Sequence, residues 1–299
     1  MFEKLKVELI FRKWLFRPNI RKAYKKVPPS DSWYDTINKV HQSLAEIRCL
    51  PHENRVIRSQ DNLRLEAIWY PAEGGSDKTV ICVHGYTSHA EREWAFPGLF
   101  YHSLGYNVLI PYQRAHGLSQ GRYISLGAME HRDVMRWVDH VNEMIPQGCI
   151  LIHGLSMGGG IVLDIATQQM TNVKCLISDA PSLEIDGMFK WICYELYKDK
   201  TGKLYTEAMK RFRKKFGVDA ADFDRRKNMA NGRYPLLLSA GSMEKMDEDL
   251  ALLKQRNPKE TEILILPGCN HGNGMYKQTE LYQNSIREFT EKYMGDHNV

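Results

Sequence analysis

The sequence of 299 residues lacks several features that define other classes of protein. No window approaches about 18 uninterrupted apolar residues, the length that a membrane-spanning helix needs. Low-complexity tracts and internal repeats are also absent, which argues against extensive disorder and against a solenoid. With 43% hydrophobic and 26% charged residues, the chain can bury a substantial core. We therefore expect a soluble globular protein.

Cysteine pairs with metal-binding spacing are missing as well. The six cysteines form no C-x-x-C motif, and Cys82, Cys149 and Cys175 lie inside apolar runs typical of strands. Because buried reduced thiols behave as small hydrophobic groups, this pattern favours a reducing compartment over a disulfide framework or a zinc site. The pattern predicts a cytoplasmic location.

The net charge of +5 is unevenly distributed along the chain. Residues 1–28 carry nine Lys or Arg and two Glu, so this segment has a charge of +7 and the remainder has a charge of −2. Its bases alternate with Phe2, Leu5, Leu9, Phe11, Trp14 and Phe16. We interpret residues 1–50 as a basic amphipathic helical segment that packs on the body through its apolar side.

An alternative interpretation of residues 1–28 is weak contact with an anionic membrane surface. The segment has no continuous apolar core, so it does not resemble a signal peptide. Nucleic-acid binding has little support, because the excess of bases is confined to this terminal segment and no recognition motif accompanies it. The sequence does not predict the oligomeric state.

From about residue 53, short apolar runs alternate with stretches of helical spacing. The runs are "KTVICVHG", "YNVLIPY", "GCILIHG", "VKCLISDA", "YPLLLSAG" and "TEILILPG". Such nearly continuous apolar runs, closed by Gly, Pro or Asp, are typical of strands that are buried on both faces of a parallel sheet. The alternation predicts an α/β fold with a mostly parallel sheet flanked by helices.

One interval is too long for an ordinary connection between a strand and a helix. About 50 residues separate "SDAPS" from "YPLLL", and their spacing is helical and rich in aromatic residues. We therefore predict a helical cap at residues 182–231, inserted into a core formed by residues 51–181 and 232–299. The aromatic residues are expected to form the small core of the cap, with a few lining a pocket.

The segment "HGLSMGGG" carries the strongest chemical signal. Gly154-Leu155-Ser156-Met157-Gly158 fits G-x-S-x-G between an apolar strand and a helix, the context in which this motif forms a nucleophile elbow. The turn must lift the Ser156 hydroxyl clear of the sheet, and the positions two before and two after it must be small. Both are glycine, so we predict that Ser156 is a nucleophile.

A serine nucleophile needs a base and a site for the developing oxyanion. His271 follows the last apolar run, in "CNHGNG", and should therefore lie at the same edge of the sheet as Ser156. The backbone N–H of Met157, directly after the nucleophile, and that of Tyr86, in the loop "HGYTS", are the predicted oxyanion donors.

Together these motifs resemble the α/β-hydrolase superfamily over residues 53–295. The segment "RAHGLSQG", residues 114–121, resembles the R-x-H-G-x-S-x-G segment of its bacterial serine-hydrolase branch. The resemblance implies an eight-stranded sheet, a triad in the order nucleophile, acid, histidine, and hydrolysis of esters or related acyl compounds. Tyr112 and Ala115 depart from the usual D-x-R-G-H-G, a change that should affect the shape of the pocket more than catalysis.

The resemblance also indicates where the acid of the triad should lie. The family places Asp three residues after a glycine that ends a strand, and here Gly241 is followed by Glu244. Glutamate can hold an imidazole as aspartate does. Because the Val-Pro that commonly follows is replaced by "KMDEDL", Asp247 is the alternative acid, while Glu248 and Asp249 suit the first turn of a helix.

These residues predict a serine hydrolase that cleaves small to medium acyl or aromatic esters through an acyl-enzyme. No metal or organic cofactor is implied. Thioesterase, lysophospholipase and peptidase activities would use the same residues. A binding module that has kept the fold without turnover is the hypothesis from another class.

Overall fold

The computed structural model describes residues 2–18 and 33–295, and an eight-stranded sheet forms its centre. The strands lie in the order β1-β2-β4-β3-β5-β6-β7-β8. They are β1 (Glu53–Arg58), β2 (Arg64–Tyr70), β3 (Lys78–Val83), β4 (Asn107–Pro111), β5 (Cys149–Leu155), β6 (Val173–Asp179), β7 (Leu236–Gly241) and β8 (Thr261–Leu266). β2 is antiparallel to both of its neighbours, and all other pairs are parallel.

Helices cover both faces of this sheet, as continuous apolar strands require. The helices are α1 (Phe2–Ile10), α2 (Tyr34–Ile47), α3 (Ala90–Ser103), α4 (Glu130–Met144), α5 (Met157–Ile165), α6 (Ile185–Lys190), α7 (Lys203–Phe216), α8 (Arg225–Asn228), α9 (Asp247–Arg256), α10 (Gly274–Lys277) and α11 (Thr279–Met294). The buried apolar side chains form two hydrophobic cores. One contains side chains of α2, α3 and α11, and the other contains side chains of α1, α4, α5 and the segment between β6 and β7. The predicted α/β-hydrolase fold with a mostly parallel eight-stranded sheet is confirmed.

The segment between β6 and β7 contains α6, a π-helical stretch at Trp191–Leu196, α7 and α8. Its central link to the sheet layer is Arg225, whose side chain is fully buried. The guanidinium donates to the Asp164 carboxylate of α5 at 2.9 and 2.7 Å and to the Ser182 carbonyl at 2.9 Å. A charge is stable in such a position only when it is paired and hydrogen-bonded, so this contact fixes α8 against α5.

The N-terminal segment packs on the segment between β6 and β7, the region predicted to be a cap. The rings of Phe11 and Phe189 lie 5.9 Å apart, and those of Trp14 and Trp191 lie 5.7 Å apart. The carbonyl of Leu15 accepts a hydrogen bond of 2.7 Å from the amide of residue 124. Of the segment predicted at residues 1–50, residue 1 and residues 19–32 lie outside the described residues.

Two further expectations concern topology and thiols. Within the described ranges, none of the helices has the length and apolar character needed to cross a membrane. All six cysteines are free thiols; Cys82 and Cys175 are buried and Cys149 is partly exposed.

Candidate active site

Ser156 lies between the end of β5 and the start of α5. Its backbone has φ 61° and ψ −114°, in the left-handed region that a residue with a side chain rarely adopts. Its N–H donates to the carbonyl of Asp179 at 2.8 Å, and its carbonyl accepts from the amides of Gly160 at 2.9 Å and Ser182 at 3.0 Å. These hydrogen bonds hold the strained turn that projects the hydroxyl from the sheet.

The two glycines around Ser156 are required by close backbone contacts. A Cβ added at Gly154 would lie 2.2 Å from the carbonyl oxygen of Gly158. A Cβ added at Gly158 would lie 1.9 Å from the carbonyl oxygen of Val83 at the end of β3. The turn can therefore form only when both positions lack a side chain, as the sequence pattern indicates.

The structure brings Ser156, His271 and Glu244 into one hydrogen-bonded chain. His271 Nε2 is 2.8 Å from Ser156 Oγ, and His271 Nδ1 is 2.5 Å from Glu244 Oε2. The hydrogen bond to Glu244 raises the pKa of His271, burial opposes this rise, and the charges of Asp179 and Glu93 add to it. This geometry lets Nε2 accept the proton of the serine while the carboxylate holds the Nδ1 proton.

Glu244 occupies this position because of the short 3₁₀ turn, Ser242–Glu244, that follows β7. Its Oε1 accepts the Gly241 N–H at 2.8 Å, which leaves Oε2 facing His271. Asp247 begins α9 instead, and among the described residues it makes no hydrogen bond or ion pair with the histidine. The geometry thus places Glu244, rather than Asp247, beside the imidazole.

The two predicted oxyanion donors are the backbone N–H groups of Met157 and Tyr86, and neither has an acceptor identified within the described residues. Met157 is the first residue of α5, so the helix itself supplies no acceptor for its N–H. Within the described part of the chain, the N–H of Tyr86 has no hydrogen-bond acceptor either. Tyr86, Ser156 and Met157 line one cavity, which is compatible with the predicted role of these two amides.

Residues 84–89, termed the 84–89 loop, are held by a side chain that sequence analysis did not select. Glu93, in the first turn of α3, accepts the N–H of Gly85 at 2.7 Å through Oε1. Burial raises the pKa of Glu93 to about 7, against the opposing effect of hydrogen bonds from Ser88 and Gly85. No motif or spacing in "AEREW" marks this residue, because its role depends on how α3 packs beside the loop.

Buried hydrogen bonds around Asp179 and His153 lie next to the turn at Ser156. Tyr282 donates to Asp179 Oδ2 at 2.9 Å, and Ser239 donates to Oδ1 at 2.7 Å. His153 lies between the hydroxyls of Tyr101, at 2.8 Å, and Tyr282, at 3.2 Å. Burial lowers the pKa of His153 to about 3, so this histidine stays neutral and contributes to packing.

Two cavities, each of about 450 Å³, are both lined in part by Ser156 and Tyr86. The loop-side cavity lies between α2 and the 84–89 loop and includes Glu93 and His271. The cap-side cavity is mainly apolar. Its apolar lining consists of Leu126, Met157, Pro181, Leu183, Ile185 and Met188. A substrate bound across Ser156 can therefore extend in two directions.

The fold and this site define an α/β hydrolase. Residues 74–230, more than half of the chain, match the family described as serine aminopeptidase, S33. The chain therefore belongs to the serine aminopeptidase S33 family of α/β hydrolases, and it is a hydrolase.

The individual proteins similar to this chain share only about a quarter of its residues or fewer. The Bacillus subtilis protein YqkD, which is uncharacterised, is 25% identical over 234 residues, covering 75% of this chain and 74% of that protein. An esterase of Pyrococcus furiosus is similar in structure, with 26% identity, a TM-score of 0.65, and coverage of 84% of this chain and 96% of the esterase. Est1E of Butyrivibrio proteoclasticus, whose structure contains ferulic acid, shares the fold at 19% identity and a TM-score of 0.63, covering 80% of this chain and 99% of Est1E.

Proposed function

We propose that this enzyme hydrolyses carboxylic esters through an acyl-enzyme formed on Ser156. The observation that carries the proposal is the continuous hydrogen-bonded chain from Ser156 Oγ through His271 to Glu244. The similarity to the Pyrococcus furiosus esterase supports an ester as the substrate. No metal or organic cofactor enters the chemistry.

In the first half-reaction, His271 Nε2 takes the proton of Ser156 as Oγ bonds to the ester carbonyl carbon. The amides of Tyr86 and Met157 stabilise the resulting oxyanion. The bond from carbon to the alcohol oxygen then breaks, and the alcohol leaves with the proton from Nε2. Water attacks the acyl-enzyme by the same route and gives its proton to Nε2, after which the carboxylic acid leaves and Ser156 recovers its proton. Glu244 orients the imidazole throughout.

The two cavities set the class of ester. The cap-side cavity, about 450 Å³ and mainly apolar, suits a small to medium acyl chain or an aromatic acyl group. The loop-side cavity then receives the alcohol. In this proposal residues 182–231 act as the cap over a core of residues 51–181 and 232–299, and residues 1–50 form the N-terminal segment. The six free thiols support a reducing, cytoplasmic location.

The family description makes aminopeptidase activity the second candidate. A peptide substrate with a free α-ammonium group needs an uncommitted carboxylate near the acyl position. In the cap-side cavity, Glu184 and Asp249 already pair with Arg226 at 3.3 and 3.2 Å. Glu93, in the loop-side cavity, accepts the Gly85 N–H. This arrangement favours an uncharged acyl group. Thioester and lysophospholipid hydrolysis would use the same triad.

A substrate comparison tests the proposal. Values of kcat/KM are measured for 4-nitrophenyl esters of increasing acyl length, for matched acyl thioesters, and for aminoacyl 4-nitroanilides, with Ser156→Ala as the control. We expect ester turnover that depends on Ser156 and falls once the acyl chain exceeds the cap-side cavity. Higher kcat/KM for the aminoacyl anilides or for the thioesters would replace the ester assignment.

A further inference from the structure

Two neighbouring helical segments carry an excess of positive charge that the proposed reaction does not use. Residues 2–17 and 203–215 contain eleven Lys or Arg and three Glu, a net charge of +8, whereas the remainder of the chain has a net charge of −3. α1 and α7 pack side by side, so the bases of these two helices lie near one another. This separation of charge indicates an anionic partner.

The three acids on this surface are already paired. Glu3 lies 3.8 Å from Lys6, Glu8 lies 3.0 Å from Arg211, and Glu207 lies 2.8 Å from Lys210. A groove of about 310 Å³ between the two helices is lined by two of these pairs, Glu8 with Arg211 and Glu207 with Lys210, together with Lys4, Val7 and Lys214. In the described part of the chain, neither Lys4 nor Lys214 lies within salt-bridge distance of a carboxylate, and both residues are exposed, so their ammonium groups can contact a ligand.

α1 also has an outer face that packing within the protein does not explain. Its inner face buries Val7 and Ile10 in the core shared with the cap. On the opposite side, Leu5 is 61% exposed and Leu9 is 49% exposed, and their spacing of four residues places them on one line along the helix. Trp191, 48% exposed, lies beside this segment through its contact with Trp14.

We propose that the outer face of α1, together with the adjoining basic groove, docks on the surface of an anionic phospholipid bilayer. Leu5 and Leu9 would enter the boundary between headgroups and acyl chains, while the ammonium groups of Lys4 and Lys214 contact lipid phosphates. The phosphates of an RNA could contact Lys4 and Lys214, but an RNA would not account for the exposed Leu5 and Leu9. A lipid surface accounts for both the basic groups and the exposed leucines. The proposal does not depend on ester hydrolysis.

Vesicle co-sedimentation tests this surface with the full chain. Phosphatidylcholine vesicles are compared with vesicles of equimolar phosphatidylcholine and phosphatidylglycerol, at low and high salt. We expect binding only to the anionic vesicles, weakened by salt. Leu5→Gln/Leu9→Gln should lower the partition coefficient about tenfold or more, because two apolar side chains no longer leave water.

Matched variants separate this surface from general effects. Leu281→Gln changes an exposed leucine on α11, and we expect it to leave binding unchanged. Lys4→Ala/Lys214→Ala should weaken binding on the order of tenfold. Lys174→Ala/Lys254→Ala makes the same change in net charge at exposed lysines elsewhere and should have little effect. Thermal unfolding and hydrolysis of a soluble ester in vesicle-free buffer verify that each variant is folded.

Three outcomes would overturn the proposal. They are absence of binding to the anionic vesicles, equal losses in the matched pairs of variants, and binding of polyuridylate without binding of vesicles. Ser156→Ala should bind vesicles as well as the unaltered enzyme does. A failure of the proposed hydrolysis therefore leaves the binding result intact, and a failure of binding leaves the hydrolysis result intact.

Discussion

Two regions of the molecule are held in place in different ways. One consists of the loops at the carboxyl ends of the strands, and the other consists of the proposed cap and the N-terminal segment packed on it. Ser156, His271 and Glu244 are positioned within one to five residues of the strand that precedes each of them. The cap is held by contacts between residues far apart in sequence, such as Arg225 with Asp164 and Phe11 with Phe189. The proposed catalytic residues are therefore positioned by local sequence, whereas the proposed cap is positioned by tertiary packing.

The largest expected effect is on kcat and comes from a change in the proposed triad of Ser156, His271 and Glu244. Glu244→Gln should lower kcat about 10³- to 10⁴-fold, because the imidazole loses the carboxylate that holds its tautomer and stabilises its charged form. Asp247→Asn should leave kcat nearly unchanged. The opposite result, with Asp247→Asn inactive and Glu244→Gln active, would contradict the geometry.

The same variant has an expected pH dependence. His271 must be neutral to accept the serine proton, and hydrogen bonding to Glu244 raises its pKa. Activity should therefore be lost as the pH falls through this raised pKa. Without the carboxylate the pKa is lower, so the acid limb of kcat in Glu244→Gln should move to lower pH. A limb that stays in place would mean that Glu244 does not act on His271.

The next prediction tests how the cap is held. Arg225→Met leaves Asp164 as an unpaired buried carboxylate, and removal of one partner of such a pair costs about 3–5 kcal/mol of unfolding free energy. Arg226→Met is the control, since Arg226 pairs with three acids while it is 27% exposed and should contribute about 0–1 kcal/mol. Urea unfolding at neutral pH measures both. Equal losses would remove Arg225 as the link between the cap and α5.

A smaller effect on kcat is expected when the 84–89 loop loses its hydrogen bond to Glu93. Glu93→Ala removes the acceptor of the Gly85 N–H and should lower kcat about tenfold with little change in KM, because the adjacent Tyr86 amide is less well placed. Glu93→Gln keeps an acceptor oxygen and should restore most of kcat. Since the Glu93 charge also raises the pKa of His271, the glutamine variant should shift the acid limb slightly to lower pH. A fall in kcat/KM through KM alone would mean that Glu93 contacts substrate instead.

The smallest expected effect is on the unfolding free energy and concerns the contact between the 84–89 loop and the N-terminal segment. The Tyr86 hydroxyl donates to the carbonyl of Trp14 and so connects the 84–89 loop to the N-terminal segment. Tyr86→Phe should cost about 1 kcal/mol of unfolding free energy and leave kcat within about twofold, since the backbone amide remains. Tyr123→Phe is the matched control. Equal stability of the two variants would show that the connection contributes nothing.

The fold and most of the site were predictable because they depend on local patterns. The apolar runs predicted the parallel strands, and G-x-S-x-G predicted the strained turn at Ser156. His271 followed from its position after β8. Glu244 needed the resemblance to a family, since four acids within six residues cannot be told apart by composition.

The remaining features depend on packing that no local pattern encodes. α3 contains Pro97 and Gly98, which interrupt its helical pattern, and its Glu93 acts on a loop eight residues away. The contact between Arg225 and Asp164 joins residues 61 positions apart. The exposure of Leu5 and Leu9 was likewise hidden, because an amphipathic pattern does not reveal which apolar residues the cap covers.

Labelling of the intact protein with a fluorophosphonate probe tests the central claim most directly. The probe reacts with a serine that an adjacent base has activated. We predict one adduct per chain, on the peptide that contains Ser156, and no adduct on Ser156→Ala or on the heat-unfolded protein. Equal labelling of Ser156→Ala, or no labelling of the intact protein, would contradict the assignment of Ser156 as the nucleophile.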